Sequence, residues 1–112
     1  MLRVLIVDDE VNLTRAMERS LGEDFDIVCC NSGHEALELL RTGAHFDVLV
    51  SDLAMPKMRG VELVTRASVV APGLPAIILS GSFGVEEALG DAPIFRCIAK
   101  PCSAVALRTA IL

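Results

Sequence analysis

The chain has 112 residues and a formal net charge of −5, from 10 basic and 15 acidic residues. This length predicts one domain over residues 1–112, and the acidic balance disfavours direct binding of nucleic acid, which depends on Lys and Arg to neutralise phosphates. Because 53% of the residues are hydrophobic and the four aromatic residues are all Phe, we expect an aliphatic core of buried strands covered by helices.

The N-terminus combines a short apolar run with three acidic residues. Residues 4–7 are continuously aliphatic, which predicts a buried first strand, and Asp8, Asp9 and Glu10 follow at its carboxyl end. The apolar run is far too short for a membrane span and reaches the acidic residues at once, unlike a signal peptide. We therefore expect a cytoplasmic protein that makes no membrane contact.

A helix, a strand and a second helix are predicted next. The first helix is indicated by apolar residues that share one face of a 3.6-residue period, Leu13, Ala16, Met17 and Leu21. Gly22 is its predicted C-cap. Residues 27–30 predict the second strand. Ser32 and Glu35 then match a capping box, which predicts a second helix running to about Arg41 and ended by Gly43.

The segment 46–56 holds the residue around which we expect the site to be built. Val48-Leu49-Val50 is an uninterrupted aliphatic run and predicts a short, fully buried third strand. Asp52 lies at its carboxyl end, the edge at which open α/β sheets bind ligands. Taken alone, a carboxylate at this position is a ligand, a nucleophile, or a cap for the turn at Met55-Pro56.

The second half of the chain continues the alternation of helices and strands. Gly60 opens a third helix whose predicted buried face is Val61, Val64, Ala67 and Ser68, ended by Pro72-Gly73. Residues 76–79 predict a fourth strand that ends at Ser80. A short fourth helix over 83–89 and a fifth strand over 94–98 follow, the strand ending at Lys100. The last predicted helix is capped by Ser103 and has Ala104, Leu107 and Ile111 on one face.

Five strand-helix repeats predict a doubly wound α/β fold with a five-stranded parallel sheet and five helices, the fourth and fifth short. If the strand order is 2-1-3-4-5, Asp8, Asp9 and Asp52 converge at the switch point. Crowded carboxylates require a cation, and hard oxygen ligands suit Mg²⁺. Ser80 and Lys100 end their strands at the same edge, where they could contact the oxygens of a phosphoryl group. Asp52 is then the predicted phosphoacceptor.

This arrangement strongly resembles the receiver domain of two-component response regulators, over the whole chain. The matching residues are Asp8-Asp9, Asp52 with Met55-Pro56 and Gly60, Ser80, and Lys100-Pro101. The resemblance implies a flavodoxin-like fold and a phosphoryl group received from a sensor histidine kinase or phosphotransfer protein. It also implies that Asp9 ligates Mg²⁺ directly, that Asp8 does so through water, and that the backbone carbonyl of Ala54 adds a ligand.

The resemblance further implies a signalling protein that catalyses only its own phosphorylation and dephosphorylation, and a homodimer through the fourth helix, fifth strand and fifth helix. Some positions depart from the family. Cys97 stands three residues before Lys100, where the family often has an aromatic residue that moves on activation. Arg59 precedes Gly60 where an acid is common. Ala54 and Ser82 place short side chains beside the phosphate site.

Two other classes of function use the same residues. A phosphorylation-independent interaction module would use the fold as a docking surface and leave the site unused. A phosphatase or hydrolase would use Asp52 as its nucleophile, but it requires an acid or base and a substrate pocket, for which 112 residues leave little room.

The cysteines and histidines carry no further chemistry in this interpretation. The four cysteines are Cys29, Cys30, Cys97 and Cys102. They lack the paired spacing of a zinc site, so we expect them to fill apolar space as thiols. His34 and His45 lack the carboxylate or nucleophile partners that catalysis needs.

Overall fold

Five strands form one sheet in the computed structural model, which describes residues 1–80, 96–99 and 104–111. In chain order they are β1 (Arg3–Val7), β2 (Asp26–Cys30), β3 (Val48–Asp52), β4 (Ala76–Ser80) and β5 (Arg96–Ala99). Neighbouring strands pair in parallel in the order β2-β1-β3-β4-β5. This is the predicted order, and it places the switch point between β1 and β3.

Four helices lie within the described ranges. They are α1 (Val11–Leu21), α2 (Gly33–Arg41), α3 (Gly60–Val70) and α4 (Ala104–Ile111). α4 is the last of the five predicted helices. The predicted helix over 83–89, positions 94–95 of the predicted fifth strand and the Ser103 cap lie outside the described residues. None of these four helices is long and apolar enough to cross a bilayer.

The side chains of the strands alternate between two cores, because successive residues of a strand point to opposite faces of the sheet. Leu5, Val7, Leu49 and Ile78 pack on one face with residues of α2 and α3. Val4, Ile6, Val50, Ile77 and Leu79 pack on the other face with residues of α1 and α4. Helices therefore cover both faces, which confirms the doubly wound arrangement. Burial on both faces also explains why the strand sequences lack polar alternation.

The buried face of α1 differs from the predicted one. Leu21 is buried and Met17 packs against the core, as predicted, but Leu13 and Ala16 are only half-buried. Thr14, which the apolar pattern passes over, is 2% exposed. Its hydroxyl donates to the backbone carbonyl three residues earlier at 2.9 Å. A hydroxyl with a partner can be buried at little cost, so a polar residue occupies this position.

The buried face of α3 also differs in part from the prediction. Val64 and Ala67 are buried as expected, but Val61 and Ser68 are only half-buried. Leu63, absent from the predicted face, is fully buried in the core beneath α2 and α3. The face is centred one residue away from the predicted stripe, which buries a large aliphatic side chain in place of a small polar one.

The ends of the first two helices follow the predicted signals. Ser32 Oγ accepts a hydrogen bond from the backbone N–H of Glu35 at 3.1 Å, which caps α2. α2 ends at Arg41, and Gly43 follows with a φ of 87°, a conformation that favours glycine. Gly22 is the C-cap of α1 and donates its N–H to a carbonyl in the last turn at 2.8 Å.

Asp47 ties the amino end of β3 to that of β1. Its Oδ2 accepts a hydrogen bond from the backbone N–H of Arg3 at 2.8 Å, and its Oδ1 lies 3.2 Å from Nε2 of His45. The expectation that His45 lacks a carboxylate partner is therefore wrong, since the carboxylate of Asp47 lies two residues away in the same loop. The hydrogen bond from Arg3, with a smaller effect of His45 and against the opposing effect of partial burial, holds the pKa of Asp47 below its usual value. A lowered pKa means that the ionised carboxylate stabilises the folded chain.

We expect Asp47→Ala to destabilise the protein at neutral pH and to lose that effect in acid. The contribution of the carboxylate is fully present above its unfolded pKa of about 4. This contribution disappears as the pH falls through the lower pKa of the folded state, because the carboxyl group of Asp47 is then protonated in both the folded and the unfolded chain. Urea unfolding of variant and wild type between about pH 7 and about pH 3 measures the difference in the free energy of unfolding.

The control is Glu23→Ala, at an exposed acidic residue in the turn after α1. This variant should stay within about 0.5 kcal/mol of wild type throughout the pH range. A difference between Asp47→Ala and wild type that stays constant in acid would contradict the assignment of this stabilisation to the ionised carboxylate.

Candidate functional site

Three aspartates from two strand ends meet at the carboxyl edge of the sheet, and we call Asp8, Asp9 and Asp52 the acidic site. Asp8 and Asp9 follow β1, and Asp52 is the last residue of β3. Val7 pairs with Ser51, so the residues that follow them in the chain, Asp8 and Asp52, are neighbours. One carboxylate oxygen of each aspartate lies within 4.8 Å of the other two. The structure thus brings together the three carboxylates that the sequence singles out.

Burial makes the acidic site electrostatically costly. Asp8 is 2% exposed and Asp52 is 8% exposed, whereas Asp9 is open to solvent. Like charges at this separation repel each other, and burial weakens their screening by water. A cation would offset both effects, and carboxylate oxygens are the hard ligands that Mg²⁺ and Ca²⁺ prefer. The donor set therefore fits a divalent cation that takes oxygen ligands.

The turn that carries Asp8 and Asp9 is held by hydrogen bonds from several directions. The backbone N–H of Asp8 donates to the carbonyl of Cys30 at 3.1 Å, and Asp8 Oδ1 accepts from the N–H of Glu10 at 3.0 Å. The side-chain amide of Asn31 donates to the Asp8 carbonyl at 3.0 Å. Asn31 is not among the site residues predicted from the sequence. The available signal was its position directly after β2, at the same sheet edge as the acids.

Two serines lie at the ends of the central strands. Ser51 is fully buried, and its hydroxyl donates to the Asp52 carbonyl at 2.9 Å. It too is absent from the site residues predicted from the sequence. Ser80 ends β4 and is buried, and Asp52 pairs with Leu79, the residue before it. Ser80 therefore lies at the sheet edge on the strand next to Asp52, as predicted. Lys100 lies outside the described residues.

The loop between β3 and α3 is anchored by methionines. Met55 and Met58 are buried in the core under α2 and α3. Met58 packs so closely on the first residue of α2 that a Cβ on Gly33 would lie 2.6 Å from its sulfur. Lys57 reaches this arrangement with a φ of 67°, a conformation that few residues other than glycine adopt. Between the anchors and the strand, Ala54 is exposed two residues after Asp52.

Gly60 allows the start of α3 to touch the backbone of β3. Its N–H donates to the Leu53 carbonyl at 2.9 Å. A Cβ at Gly60 would overlap the Asp52 carbonyl oxygen and lie 3.0 Å from the Cα of Leu53. The preceding residue, Arg59, is exposed. A glycine is therefore required at this position because the backbone that carries Asp52 leaves no room for a side chain.

The described cysteines are placed as apolar filler rather than as ligands. Cys30 is buried and Cys29 is half-buried. Burial, together with nearby carboxylates, raises the pKa of Cys29 to about 11 and that of Cys30 to about 12. Thiols with such pKa values stay protonated at neutral pH and are poor nucleophiles. Cys97 occupies β5 opposite Ile78, and its side chain, like Cys102, lies outside the described atoms.

A family model described as the response regulator receiver domain matches residues 4–112. The transcriptional regulatory protein GlrR of Escherichia coli (strain K12) is 32% identical over 111 residues, which cover 96% of this chain and 25% of GlrR. The hydrogenase transcriptional regulatory protein HoxA of Bradyrhizobium diazoefficiens is 34% identical over 101 residues, which cover 88% of this chain and 21% of HoxA. The chain thus spans about a quarter or less of the length of these curated relatives.

A solved structure gives the same result at the level of the fold. A CheY-like response regulator receiver domain protein from Methanospirillum hungatei JF-1 superimposes with a TM-score of 0.90 and 25% sequence identity. The match covers 99% of this chain and 90% of that chain. The strand order, the acidic site and these comparisons therefore agree.

We expect Gly60→Ala to destabilise the protein by about 2 kcal/mol or more, because the added methyl group must displace the backbone of Asp52 and Leu53. Urea unfolding at neutral pH measures the change. Gly43→Ala is the matched control, since Gly43 has a positive φ but open space around its Cα. That variant should cost only about 1 kcal/mol, from backbone strain alone. Equal losses of stability in the two variants would contradict the close contact between Gly60 and the backbone of Asp52.

Proposed function

The chain belongs to the response regulator receiver domain family and has a role in two-component signalling, and on that premise we propose that Asp52 is its phosphoacceptor. Domains of this family are in general signalling modules and not enzymes that turn over a substrate. The observation that carries the proposal is the position of Asp52, a largely buried carboxylate at the end of β3 with oxygens of Asp8 and Asp9 within 4.8 Å.

Mg²⁺ is the proposed cation of the acidic site. The carboxylates of Asp8, Asp9 and Asp52 would hold it, and the backbone carbonyl of Ala54 would add an oxygen ligand. The support is the donor set itself, which consists of hard carboxylate oxygens within 4.8 Å of one another. When bound, Mg²⁺ would supply the positive charge that offsets the negative charge of the phosphoryl oxygens during transfer.

In the proposed reaction a carboxylate oxygen of Asp52 attacks the phosphorus of a phosphohistidine. The new oxygen–phosphorus bond forms as the nitrogen–phosphorus bond breaks, and the imidazole leaves and takes a proton from solvent. The product is an aspartyl phosphate, and attack of water on it releases inorganic phosphate and restores Asp52. The chain therefore catalyses only its own phosphorylation and dephosphorylation.

Ser80 and Lys100 are proposed to contact the phosphoryl oxygens. Ser80 offers a hydroxyl donor from the end of β4, next to the strand of Asp52. Ala99 pairs with Ser80 and directly precedes Lys100 in the chain. A hydroxyl and an ammonium group are complementary to the charge on a phosphoryl group in transfer.

The proposed phosphodonor is a sensor histidine kinase or a phosphotransfer protein, and residues 1–112 are proposed to act as one receiver domain. GlrR and HoxA are named as transcriptional regulatory proteins, and we propose an output of that class for this receiver. The homodimer through the helix over 83–89, β5 and α4 stays a prediction, because that helix lies outside the described residues. The cytoplasmic location also stays a prediction.

A docking module that never carries phosphate accounts less well for the acidic site. Such a module has no need to keep three carboxylates together with two of them buried, since that cluster costs free energy without a cation. The phosphoacceptor proposal explains both the burial and the shared position.

We expect wild-type protein incubated with acetyl phosphate and Mg²⁺ to gain one phosphoryl group at Asp52. Asp52→Asn should gain none, because a carboxamide is not a nucleophile for phosphorus at neutral pH. Removing Mg²⁺ with a chelator should abolish the reaction of wild type. Intact-mass spectrometry followed by peptide mapping measures the extent and the site of modification.

The matched control is Asp26→Asn, at an exposed aspartate at the start of β2, which should be modified to the wild-type extent. Modification of Asp52→Asn at the wild-type level would show that another residue is the acceptor. Modification of wild type that is unaffected by the chelator would reject the role of Mg²⁺.

A further inference from the structure

Asn31 links three elements beside the acidic site. It follows β2, and its side-chain nitrogen donates to the Asp8 carbonyl at 3.0 Å and lies 3.3 Å from Oγ1 of Thr14 in α1. The carbonyl oxygen of Asp8 can only accept a hydrogen bond, so the nitrogen end of the Asn31 amide must face it. The orientation of the side chain is therefore set by chemistry.

Thr14 completes the arrangement from the other side. Its hydroxyl hydrogen is donated to the carbonyl of Val11 at 2.9 Å, which leaves the oxygen to accept from Asn31. Thr14 is 2% exposed and Asn31 is half-buried, so water has little access to the Thr14 hydroxyl. The two hydrogens of the Asn31 amide thus have one acceptor each, in the turn after β1 and on α1.

The Asp8 carbonyl is part of the peptide bond that joins Asp8 to Asp9. A peptide group is planar, so a hydrogen bond that restrains the Asp8 carbonyl oxygen also restrains the position of the Asp9 Cα. The hydrogen bond from the Glu10 N–H to Asp8 Oδ1 then closes the turn. This peptide group therefore links the two residues that carry the first two carboxylates of the acidic site, and Asn31 holds it from the side of β2.

We propose that Asn31 is a positioning residue that fixes the Asp8–Asp9 peptide and so keeps both carboxylates in place for the cation. The inference rests on the proposed function for the identity of the cation, because the geometry alone shows only which peptide group is held. Asn31 and Thr14 are not among the residues proposed to hold the cation or the phosphoryl group; both act through the backbone of the acidic site.

The first test is made without metal and is independent of phosphorylation. In Asn31→Ala, the amide hydrogen of Glu10 should exchange about fivefold faster than in wild type, since the turn loses one hydrogen bond of ordinary strength. Hydrogen exchange measured by NMR resolves this amide. Asn12→Ala, at an exposed asparagine of α1, is the control and should leave the Glu10 amide unchanged.

The second test is Mg²⁺ binding, measured by calorimetric titration with Mg²⁺ as the only ligand. Asn31→Ala should bind Mg²⁺ about tenfold more weakly than wild type, the lower end of the effect of residues that orient metal ligands. Thr14→Val, which removes one of the two acceptors of the Asn31 amide, should weaken binding by a smaller factor of about three. Asn12→Ala should match wild type.

The outcomes separate this inference from the function on which it rests. Faster exchange of the Glu10 amide together with weaker Mg²⁺ binding in Asn31→Ala supports it. Unchanged exchange overturns it, and so does wild-type Mg²⁺ affinity in a variant whose exchange has risen, because Asn31 would then have a structural role only. If wild type itself does not bind Mg²⁺, the proposed function fails as well as the inference.

Discussion

The carboxylates of Asp8, Asp9 and Asp52 repel one another, and the rest of the fold has to hold them together. The fold holds oxygens of Asp8, Asp9 and Asp52 within 4.8 Å of one another, with two of the three side chains almost removed from water. The surrounding structure has to hold the carboxylates at this separation against their mutual repulsion. Two aliphatic cores, one on each face of the sheet, supply that support. The same cluster of negative charge is the basis of the cation site that we propose.

Each part of the acidic site is held by a different element, so the site is a property of the whole fold. Asn31 holds the peptide of Asp8, and Met58 packs the loop after β3 onto the start of α2. Gly60 lets α3 approach the backbone of Asp52 closely. None of these three residues offers a ligand to the proposed cation. They determine where the ligands are, and this is why the geometry does not follow from the acidic residues alone.

The sequence predicts the strands, their order and the three clustered aspartates, because aliphatic runs mark buried strands and acids at their ends must meet at one edge. It does not predict Thr14 in the buried face of α1, or Asn31 beside Asp8. A single sequence cannot show that a polar side chain will find a partner on another element, and that partner is what permits its burial. Leu63 is a different failure, because several apolar residues of α3 compete for one buried face and tertiary packing decides among them.

The most direct test of the central claim is a crystal structure of the protein with Mg²⁺ and beryllofluoride, an analogue that stands in for the phosphoryl group on a carboxylate. We expect the ion to be held by carboxylate oxygens of the acidic site and the beryllium to be bonded to a carboxylate oxygen of Asp52. A structure in which beryllofluoride is not bonded to Asp52, or in which the ion is bound away from the acidic site, would contradict the claim that these aspartates form a phosphoacceptor site.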